Sequence, residues 1–216
     1  MNRVRSFALI APLCALALMG AGCFGSSTQT AAGPDGGIFV TRDYATKWEQ
    51  QKVLNLDTKI GSLADVGTVT AAIDPQDSNI LYVGTTENGL LYSLNGGQSW
   101  QLARGLSLGK INAITVDSKE GCTVYAARAN QIHETTTCGR EWHEVYAHAK
   151  ADVLITAVIT DWFNPQIMYA GTSEGDLLRS DDGAAHWRVI RRVEGTRINS
   201  LVLDPHDSRV LYVATQ

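Results

Sequence analysis

The sequence lacks any concentration of positive charge. It holds 18 lysines and arginines against 22 aspartates and glutamates, for a formal net charge of −4 at pH 7 with neutral histidines. Proteins that bind nucleic acids or anionic lipid headgroups gather basic residues, because contacts to phosphate supply much of their affinity. The sequence has no such run, which argues against nucleic acid as a partner and against an electrostatic contact with membranes.

The short motifs of common catalytic sites are also missing. The chain has no Gly-x-Ser-x-Gly turn, no P-loop and no dinucleotide fingerprint. His133 and His143 are spaced for paired strands, but no third ligand stands at a spacing that suits zinc. We therefore predict no catalytic residue, no cofactor and no metal site. The remaining histidines are His148, His186 and His206.

Long apolar runs are scarce, and the one that stands out, Phe7–Met19, lies near the N-terminus. It follows Arg3 and Arg5, and it is too short to span a bilayer comfortably. A positive start, an apolar core and small residues afterwards are typical of a signal peptide. We assign residues 1–22 to that signal.

The end of the signal and the residue after it read Gly20-Ala21-Gly22-Cys23, which resembles the bacterial lipobox, although that pattern has Leu where this chain has Gly20. The resemblance implies lipidation of Cys23 and a tether over 23–36, with the protein anchored on the extracytoplasmic side of a bacterial envelope membrane. Ordinary secretion with a nearby cleavage is the alternative.

A repeat organises the rest of the chain. Ile80–Thr85 and Leu90–Ser93 read as two strands around a turn at Glu87-Asn88-Gly89. The tyrosine of the first strand recurs at steps of 43, 44 and 43 residues, and a tryptophan follows the first three copies by 17 or 18 residues. A period of about 40–45 residues with short strands predicts an all-β propeller. The alternative is a β-sandwich. The repeated residues are Tyr82, Tyr125, Tyr169 and Tyr212, with Trp100, Trp142 and Trp187.

The turn after the second strand carries a recognisable motif. Ser93-x-Asn95-x-Gly97-x-Ser99-Trp100 resembles the Asp-box, or BNR, repeat. Side chains such as Asn95 can hold a turn through its backbone N–H groups, and Gly tolerates conformations costly to other residues. We expect these residues to build turns rather than to bind a ligand or metal. The other copies carry Asp43 and Trp48; Gly139 and Trp142; and Ser180, Asp182 and Trp187.

The repeats fill 37–216, about four blades' worth. Gly37–Leu54 resembles the last two strands of a blade, and Arg197–Thr215 resembles the first two. These halves are predicted to pair, with Leu211–Thr215 alongside Gly37–Thr41, if the ring closes with four blades; otherwise the chain forms part of a larger propeller. Asn55–Val66 is predicted to be a long loop between blades.

Two cysteines, Cys122 and Cys138, fall within the repeats, since Cys14 leaves with the signal and Cys23 is the expected lipid site. Both lie in turns on the same rim of one blade. In an exported protein they are predicted to form a disulfide that replaces the acidic residue missing from that box. Two free buried thiols are the alternative.

Charged residues gather on the opposite rim, where turns between second and third strands and links between blades meet. A glycosidase needs two carboxylates across a cleft, and Asp-box repeats occur in sialidases. However, Arg197-Ile198-Asn199 does not match the sialidase Arg-Ile-Pro segment. We read this candidate ligand face as a solvated rim. It comprises Asp65, Glu87, Lys110, Arg128, Asp152, Glu174, Glu194 and Arg197.

The repeats resemble those of the photosystem II stability/assembly factor group and of sortilin-type propellers. The resemblance implies a membrane-tethered, non-enzymatic platform that binds a protein or peptide. The alternative is a carbohydrate-active or glycan-binding propeller of the glycoside hydrolase or sialidase kind.

Overall fold

The computed structural model describes residues 36–56 and 59–216, so the predicted signal and Cys23 lie outside the described residues. The described residues contain eighteen strands and no helix. The strands are β1 (Ile38–Val40), β2 (Glu49–Gln51), β3 (Val53–Leu56), β4 (Lys59–Ser62), β5 (Thr68–Ile73), β6 (Leu81–Thr85), β7 (Leu90–Ser93), β8 (Trp100–Leu102), β9 (Ile111–Val116), β10 (Val124–Arg128), β11 (Gln131–Thr135), β12 (His143–Ala147), β13 (Ile155–Thr160), β14 (Met168–Thr172), β15 (Asp176–Ser180), β16 (Arg188–Arg192), β17 (Ile198–Leu203) and β18 (Leu211–Thr215).

Three complete units repeat the same antiparallel order. Strands β5–β8, β9–β12 and β13–β16 each run first, second, third, fourth across a sheet, with neighbours joined by tight turns. Their second strands are rich in β-branched and aromatic residues, which suit a pleated surface buried on both sides. The all-β repeat predicted from the tyrosine spacing is confirmed.

The units stack face to face, and the core lies between them. The first strands β5, β9, β13 and β17 lie side by side in chain order. Each gap is filled by side chains from both units, such as Tyr125 with Ile155 and Val158. At Gly171 an added β-carbon would lie 2.4 Å from the Cγ2 atom of Ile198 in the next unit. The absence of a side chain there lets successive units approach closely.

The predicted loop over Asn55–Val66 is wrong. Strands β3 and β4 form a hairpin, and β3 pairs in parallel with β8, Leu54 lying opposite Trp100. The sheet of the first complete unit therefore has six strands in the order β4-β3-β8-β7-β6-β5. The physical reason is apolar burial, because Leu54 and Leu63 join Trp100 in one core cluster.

The predicted pairing of the two half-units is also not formed. Among the described strands β1 pairs with β2 alone, and β18 pairs with β17 alone. Each half is held by a different unit instead: Ile38 packs on the core around Val83 and Leu91, whereas Leu201 packs against Tyr169. The closed four-blade ring is therefore not the arrangement of this structure.

Candidate functional site

The strand order brings all eight predicted rim residues to the same end of the sheets. Four lie in links between successive sheets: Asp65 after β4, Lys110 after β8, Asp152 after β12 and Glu194 after β16. Glu87 and Glu174 lie in turns between second and third strands, Arg128 is the last residue of β10, and Arg197 directly precedes β17.

Only part of this rim comes together as a cleft. Glu174, Glu194 and Arg197 line a cleft of about 620 Å³ together with Arg192 and Gln216, and the other five predicted residues do not line it. Arg128 is engaged elsewhere, because its guanidinium donates to the carbonyl oxygen of Gly105 at 3.1 Å. We call this the charged cleft.

Two ion pairs involve residues that line the cleft. Arg192 donates to both carboxylate oxygens of Asp176, at 2.5 and 2.6 Å. Lys150 Nζ contacts Glu174 at 2.8 Å. The hydrogen bond from Arg192 holds the pKa of the Asp176 carboxyl below its usual range, even though the side chain is buried. A glycosidase acid needs a raised pKa, so Asp176 is suited to ion pairing rather than to donating a proton.

The eight-residue turns between third and fourth strands use their polar atoms internally. Ser93 Oγ accepts from the N–H of Gly97 at 3.0 Å, and Asn95 Oδ1 accepts from the N–H of Ser99 at 2.9 Å. Trp100 Nε1 donates to the carbonyl of Gly97 at 3.0 Å. The same three bonds recur in the turn that holds Ser180, Asp182 and Trp187.

The two other turns follow the same plan with substitutions. In the first, Asp43 Oδ1 accepts from the N–H of Lys47 at 2.9 Å. In the third, Thr137 stands where the others have Asn or Asp, and its hydroxyl accepts from the N–H of Glu141 at 3.0 Å. Trp142 Nε1 donates to the carbonyl of Gly139 at 3.0 Å.

The Cys122–Cys138 disulfide is confirmed. It joins the turn between β9 and β10 to the turn between β11 and β12, at the end of the sheet opposite the charged cleft. Since Thr137 already accepts the bond expected of the missing Asp, the disulfide adds a covalent tie instead of replacing that bond. Cys122 also links neighbouring units, because its N–H donates to Asp74 Oδ2 at 2.7 Å.

Sequence reasoning missed an apolar groove on the first strands. This inner groove, about 360 Å³, crosses β5, β9, β13 and β17 at the end of the sheets that carries the disulfide. Trp162 lines it with 55% of its surface exposed, and Phe163 beside it is 53% exposed. The lining residues are Ala72, Ile73, Pro75, Ile114, Thr115, Val116, Ile159, Thr160, Trp162, Leu201, Val202 and Leu203.

A signal for this groove is present in the sequence. The turns that join first and second strands read Asp-Pro-Gln-Asp-Ser from Asp74 and Asp-Pro-His-Asp-Ser from Asp204, both polar. The corresponding turn at Asp161 reads Asp-Trp-Phe-Asn-Pro. Two aromatic residues in a turn that elsewhere carries none mark an exposed apolar surface.

Within residues 36–56 and 59–216, no three His, Cys, Asp or Glu side chains lie close enough to share a metal ion. His133 is buried, and burial lowers its pKa to about 4. His143 Nε2 lies 2.8 Å from Glu134. In the same part of the chain there is no helix with the length and apolar character needed to cross a membrane.

Neither a protein-family model nor a curated protein matches this sequence. Solved structures do resemble it. An ancestral GH74 enzyme superposes with a TM-score of 0.69 at 20% identity, over 85% of this chain and 25% of that one. YCF48 bound to D1 peptide gives 0.52 at 16% identity, over 65% and 44%. These neighbours are propeller-type proteins. The fold is a β-propeller.

A third neighbour is the extracellular domain of the two-component system BT4673 from B. thetaiotaomicron, with a TM-score of 0.59 at 20% identity. The superposition covers 85% of this propeller chain and 23% of that domain. The chain thus spans between about a quarter and a half of the three structures. At such identities the likeness extends to the fold alone, and the neighbours include both enzymes and a peptide-binding protein.

Proposed function

We propose that this propeller is a non-enzymatic module that binds a protein or peptide through the inner groove. The observation that carries the proposal is an apolar groove continuous across four successive first strands, with an exposed tryptophan at its end. Exposed apolar surface rimmed by polar groups marks interaction sites. Tryptophan is enriched among the residues that dominate binding energy.

The groove is also built to hold its aromatic residue in place. Asp161 Oδ1 accepts from the N–H groups of Phe163 and Asn164, at 2.7 and 3.2 Å. The carbonyl oxygen of Trp162 accepts from Ser118 Oγ, on the neighbouring unit, at 2.8 Å. A backbone fixed from two sides loses little freedom when a partner binds, which favours affinity.

The module is proposed to act outside the cytoplasm, held to a bacterial membrane by lipid on Cys23. The Cys122–Cys138 disulfide supports an oxidising compartment, and the lipobox-like segment supports the anchor. The turns that resemble Asp-boxes are proposed to be purely structural, since their polar atoms are used within each turn. The YCF48 structure with its peptide is a precedent for the fold in this role.

Replacing Trp162 tests the proposed site. An array of short, unstructured peptides rich in apolar residues is probed with the purified chain, and the strongest binders are titrated. Trp162→Ala is expected to cost about 2 kcal/mol or more, roughly 30-fold in Kd, as at a dominant interface residue. Tyr44→Ala, at a fully exposed aromatic in a turn on another part of the chain, is the control.

Equal loss in both variants, or none in Trp162→Ala, contradicts the inner groove as the site. A glycan panel tests the enzymatic alternative in parallel. Robust turnover of one glycan, abolished by a single substitution at Asp65, Asp152 or Glu174, would overturn the non-enzymatic reading.

The lipid anchor has its own test. Cys23→Ala is expected to leave the precursor unprocessed by the lipoprotein route, because the thiol that accepts the lipid is gone. Mass spectrometry and membrane fractionation measure this. Cys14→Ala, inside the predicted signal, is expected to behave as the wild type. If the Cys23 variant gains lipid mass and partitions as the wild type does, the anchor is wrong.

A further inference from the structure

The turn between β9 and β10 fixes the aromatic end of the inner groove. We call this turn, residues 117–123, the hub turn. Ser118 Oγ donates to the carbonyl oxygen of Trp162 at 2.8 Å, and Lys119 Nζ donates to the carbonyl oxygen of Phe163. Both bonds cross from one unit to the next. The position of the exposed tryptophan therefore depends on the conformation of the hub turn.

The hub turn is also bound to the unit before it. Gln76 Nε2 donates to the carbonyl oxygen of Ser118 at 2.9 Å, and the N–H of Cys122 donates to Asp74 Oδ2 at 2.7 Å. Gln76 directly follows Pro75, which lines the inner groove. One short turn thus joins the units on either side of it along the groove.

The corresponding turns of the other units have a closing bond that the hub turn lacks. Among the described residues four turns join a first strand to a second, and each opens with an Asp whose Oδ1 accepts from the N–H two residues later. In the hub turn the N–H of Cys122 donates to Asp74 of the preceding unit. In the other three turns the corresponding N–H donates to a second acceptor within the turn. These acceptors are Asp77, Asn164 and Asp207.

The sequence of the hub turn also constrains its backbone less than in the other three turns. Those turns contain Pro75, Pro165 and Pro205, and proline fixes the φ angle. The hub turn has no proline and contains Gly121, a residue with more backbone conformations available to it. Its conformation therefore depends on bonds to other parts of the chain.

The disulfide is the tie that distinguishes the hub turn from the other three. It joins Cys122 to Cys138 in the turn between β11 and β12, where the N–H of Cys138 also donates to the carbonyl oxygen of Cys122 at a long 3.4 Å. Cys122 has a φ of +68°, in the left-handed region that few residues other than glycine adopt. The residues at the same position in the other three turns lie outside that region. Such a conformation persists only where the surroundings impose it.

We propose that thiol–disulfide exchange at Cys122 and Cys138 regulates binding in the inner groove, an inference that rests on the proposed function. With the disulfide formed, the hub turn holds the backbone of Trp162 in place before a partner arrives. With the disulfide reduced, the unit stays folded but the hub turn fluctuates, so a partner must also order the tryptophan's turn, which costs affinity. Both cysteines are partly exposed, so a reductant can reach them.

The reductant in this step is a dithiol, either a small molecule or the active site of an oxidoreductase. One of its thiolates attacks a sulfur of the disulfide, and the other cysteine leaves as a thiolate. The second thiol of the reductant then displaces the first cysteine from the mixed disulfide. Two electrons and two protons pass to Cys122 and Cys138, and the dithiol becomes a disulfide.

The affinity of the oxidised and reduced chain for one peptide tests the regulation. The probe is the strongest cysteine-free binder from the peptide array. It is titrated onto the wild type with and without dithiothreitol, and onto the double variant Cys122→Ser with Cys138→Ser. Reduction and the double variant are each expected to raise Kd about 3- to 10-fold, as for one or two further groups ordered on binding. Far-ultraviolet circular dichroism at the titration temperature is expected to be unchanged.

A second double variant, Ser118→Ala with Lys119→Ala, separates this regulation from a general loss of stability. It removes both side-chain bonds to the tryptophan's turn and keeps the disulfide. It is expected to bind as weakly as the reduced wild type, and reductant is expected to change its Kd by less than about twofold, because the coupled groups are not additive. Glu120→Gln, exposed in the same turn, is the matched control and is expected to keep the full response to reductant.

Amide hydrogen exchange measures the coupling without any ligand. Reduction is expected to speed exchange in residues 117–123 and in residues 161–165, because local openings of the hub turn release the backbone that it holds. Residues 204–210 form a corresponding turn with its own second bond, from the N–H of Arg209 to Asp207. Their exchange is expected to stay at the oxidised rate.

The possible failures are distinguishable. Unchanged exchange at 161–165 on reduction would overturn the coupling even if the peptide binds, and faster exchange with an unchanged Kd would overturn the regulation. An equal response to reductant in the wild type and in Ser118→Ala with Lys119→Ala would indicate general destabilisation and would also overturn it. If no peptide binds, or if Trp162→Ala binds as tightly as the wild type, the proposed function itself is wrong, and the regulation falls with it.

Discussion

Trp100→Ala is expected to lower the free energy of unfolding by about 3–5 kcal/mol, the usual cost of removing a large buried aromatic side chain. Trp100 is among the largest fully buried side chains of the described residues. Its ring fills the core cluster that Leu54, Leu63 and Leu91 share. The substitution leaves a cavity and also removes the bond from Nε1 to the carbonyl of Gly97.

The size of this effect follows from the position of Trp100, where two parts of the chain meet. The indole lies where the first complete unit contacts the β3–β4 hairpin, and Leu54 of that hairpin lies opposite Trp100 in the parallel ladder. Removing the ring therefore weakens the packing of the unit and the attachment of the hairpin together. We expect the amide hydrogens of the hairpin to exchange faster in the variant than the loss of global stability alone would cause.

Urea unfolding followed by far-ultraviolet circular dichroism measures the change, since the substitution alters the fluorescence signal itself. Trp162→Ala is the matched control, because it removes the same side chain from an exposed site and is expected to change stability by less than about 0.5 kcal/mol. If the two tryptophan variants lose equal stability, the core role of Trp100 is wrong.

The repeat could be predicted from sequence because its signals are local. Tyr82, Tyr125 and Tyr169 mark second strands, and the turns that follow specify their own hydrogen bonds within eight residues. Such features depend on strand propensity and turn chemistry, which a single sequence displays. The disulfide could be predicted for the same reason, since both cysteines fall in turns of one unit.

The parts that sequence could not predict depend on residues far apart in the chain. The β3–β4 hairpin is fixed by parallel pairing with β8, more than 40 residues away from Leu54, and by the core around Trp100. The inner groove is assembled from four strands in four different units. Turn positions indicate which end of the sheets carries the charged residues, but the sequence pattern alone does not specify which of them form ion pairs, such as Arg192 with Asp176.

The predicted pairing of the two half-units in a four-blade ring is absent from the structure for a similar reason. The sequence shows that Gly37–Leu54 and Arg197–Thr215 are complementary, but it carries no record of the angle between successive units. That angle depends on how closely the second strand of one unit packs on the first strand of the next, as at Gly171 on β14 against Ile198 on β17. Complementary halves are thus predictable, whereas the number of units between them that closes a ring is not.

Loss of the Cys122–Cys138 disulfide is expected to lower the free energy of unfolding by about 3 kcal/mol. The bond closes a loop with a sequence separation of 16, and the chain-entropy model gives roughly 3 kcal/mol for a loop of about 15 residues. The mechanism is chiefly a restriction of the unfolded chain. Because Thr137 and Asp74 keep their own hydrogen bonds in this region, the folded unit is expected to persist without the bond.

The test compares urea midpoints of the wild type with and without reductant, and of the double variant Cys122→Ser with Cys138→Ser. Both cysteines are only partly buried, so serine introduces no fully buried hydroxyl group. Reductant is expected to lower the wild-type midpoint to that of the double variant, which should itself be insensitive to reductant. Two reactive thiols in denatured, unreduced protein from which Cys14 and Cys23 have been removed, or a wild-type midpoint that reductant leaves unchanged, would reject the stabilising bond.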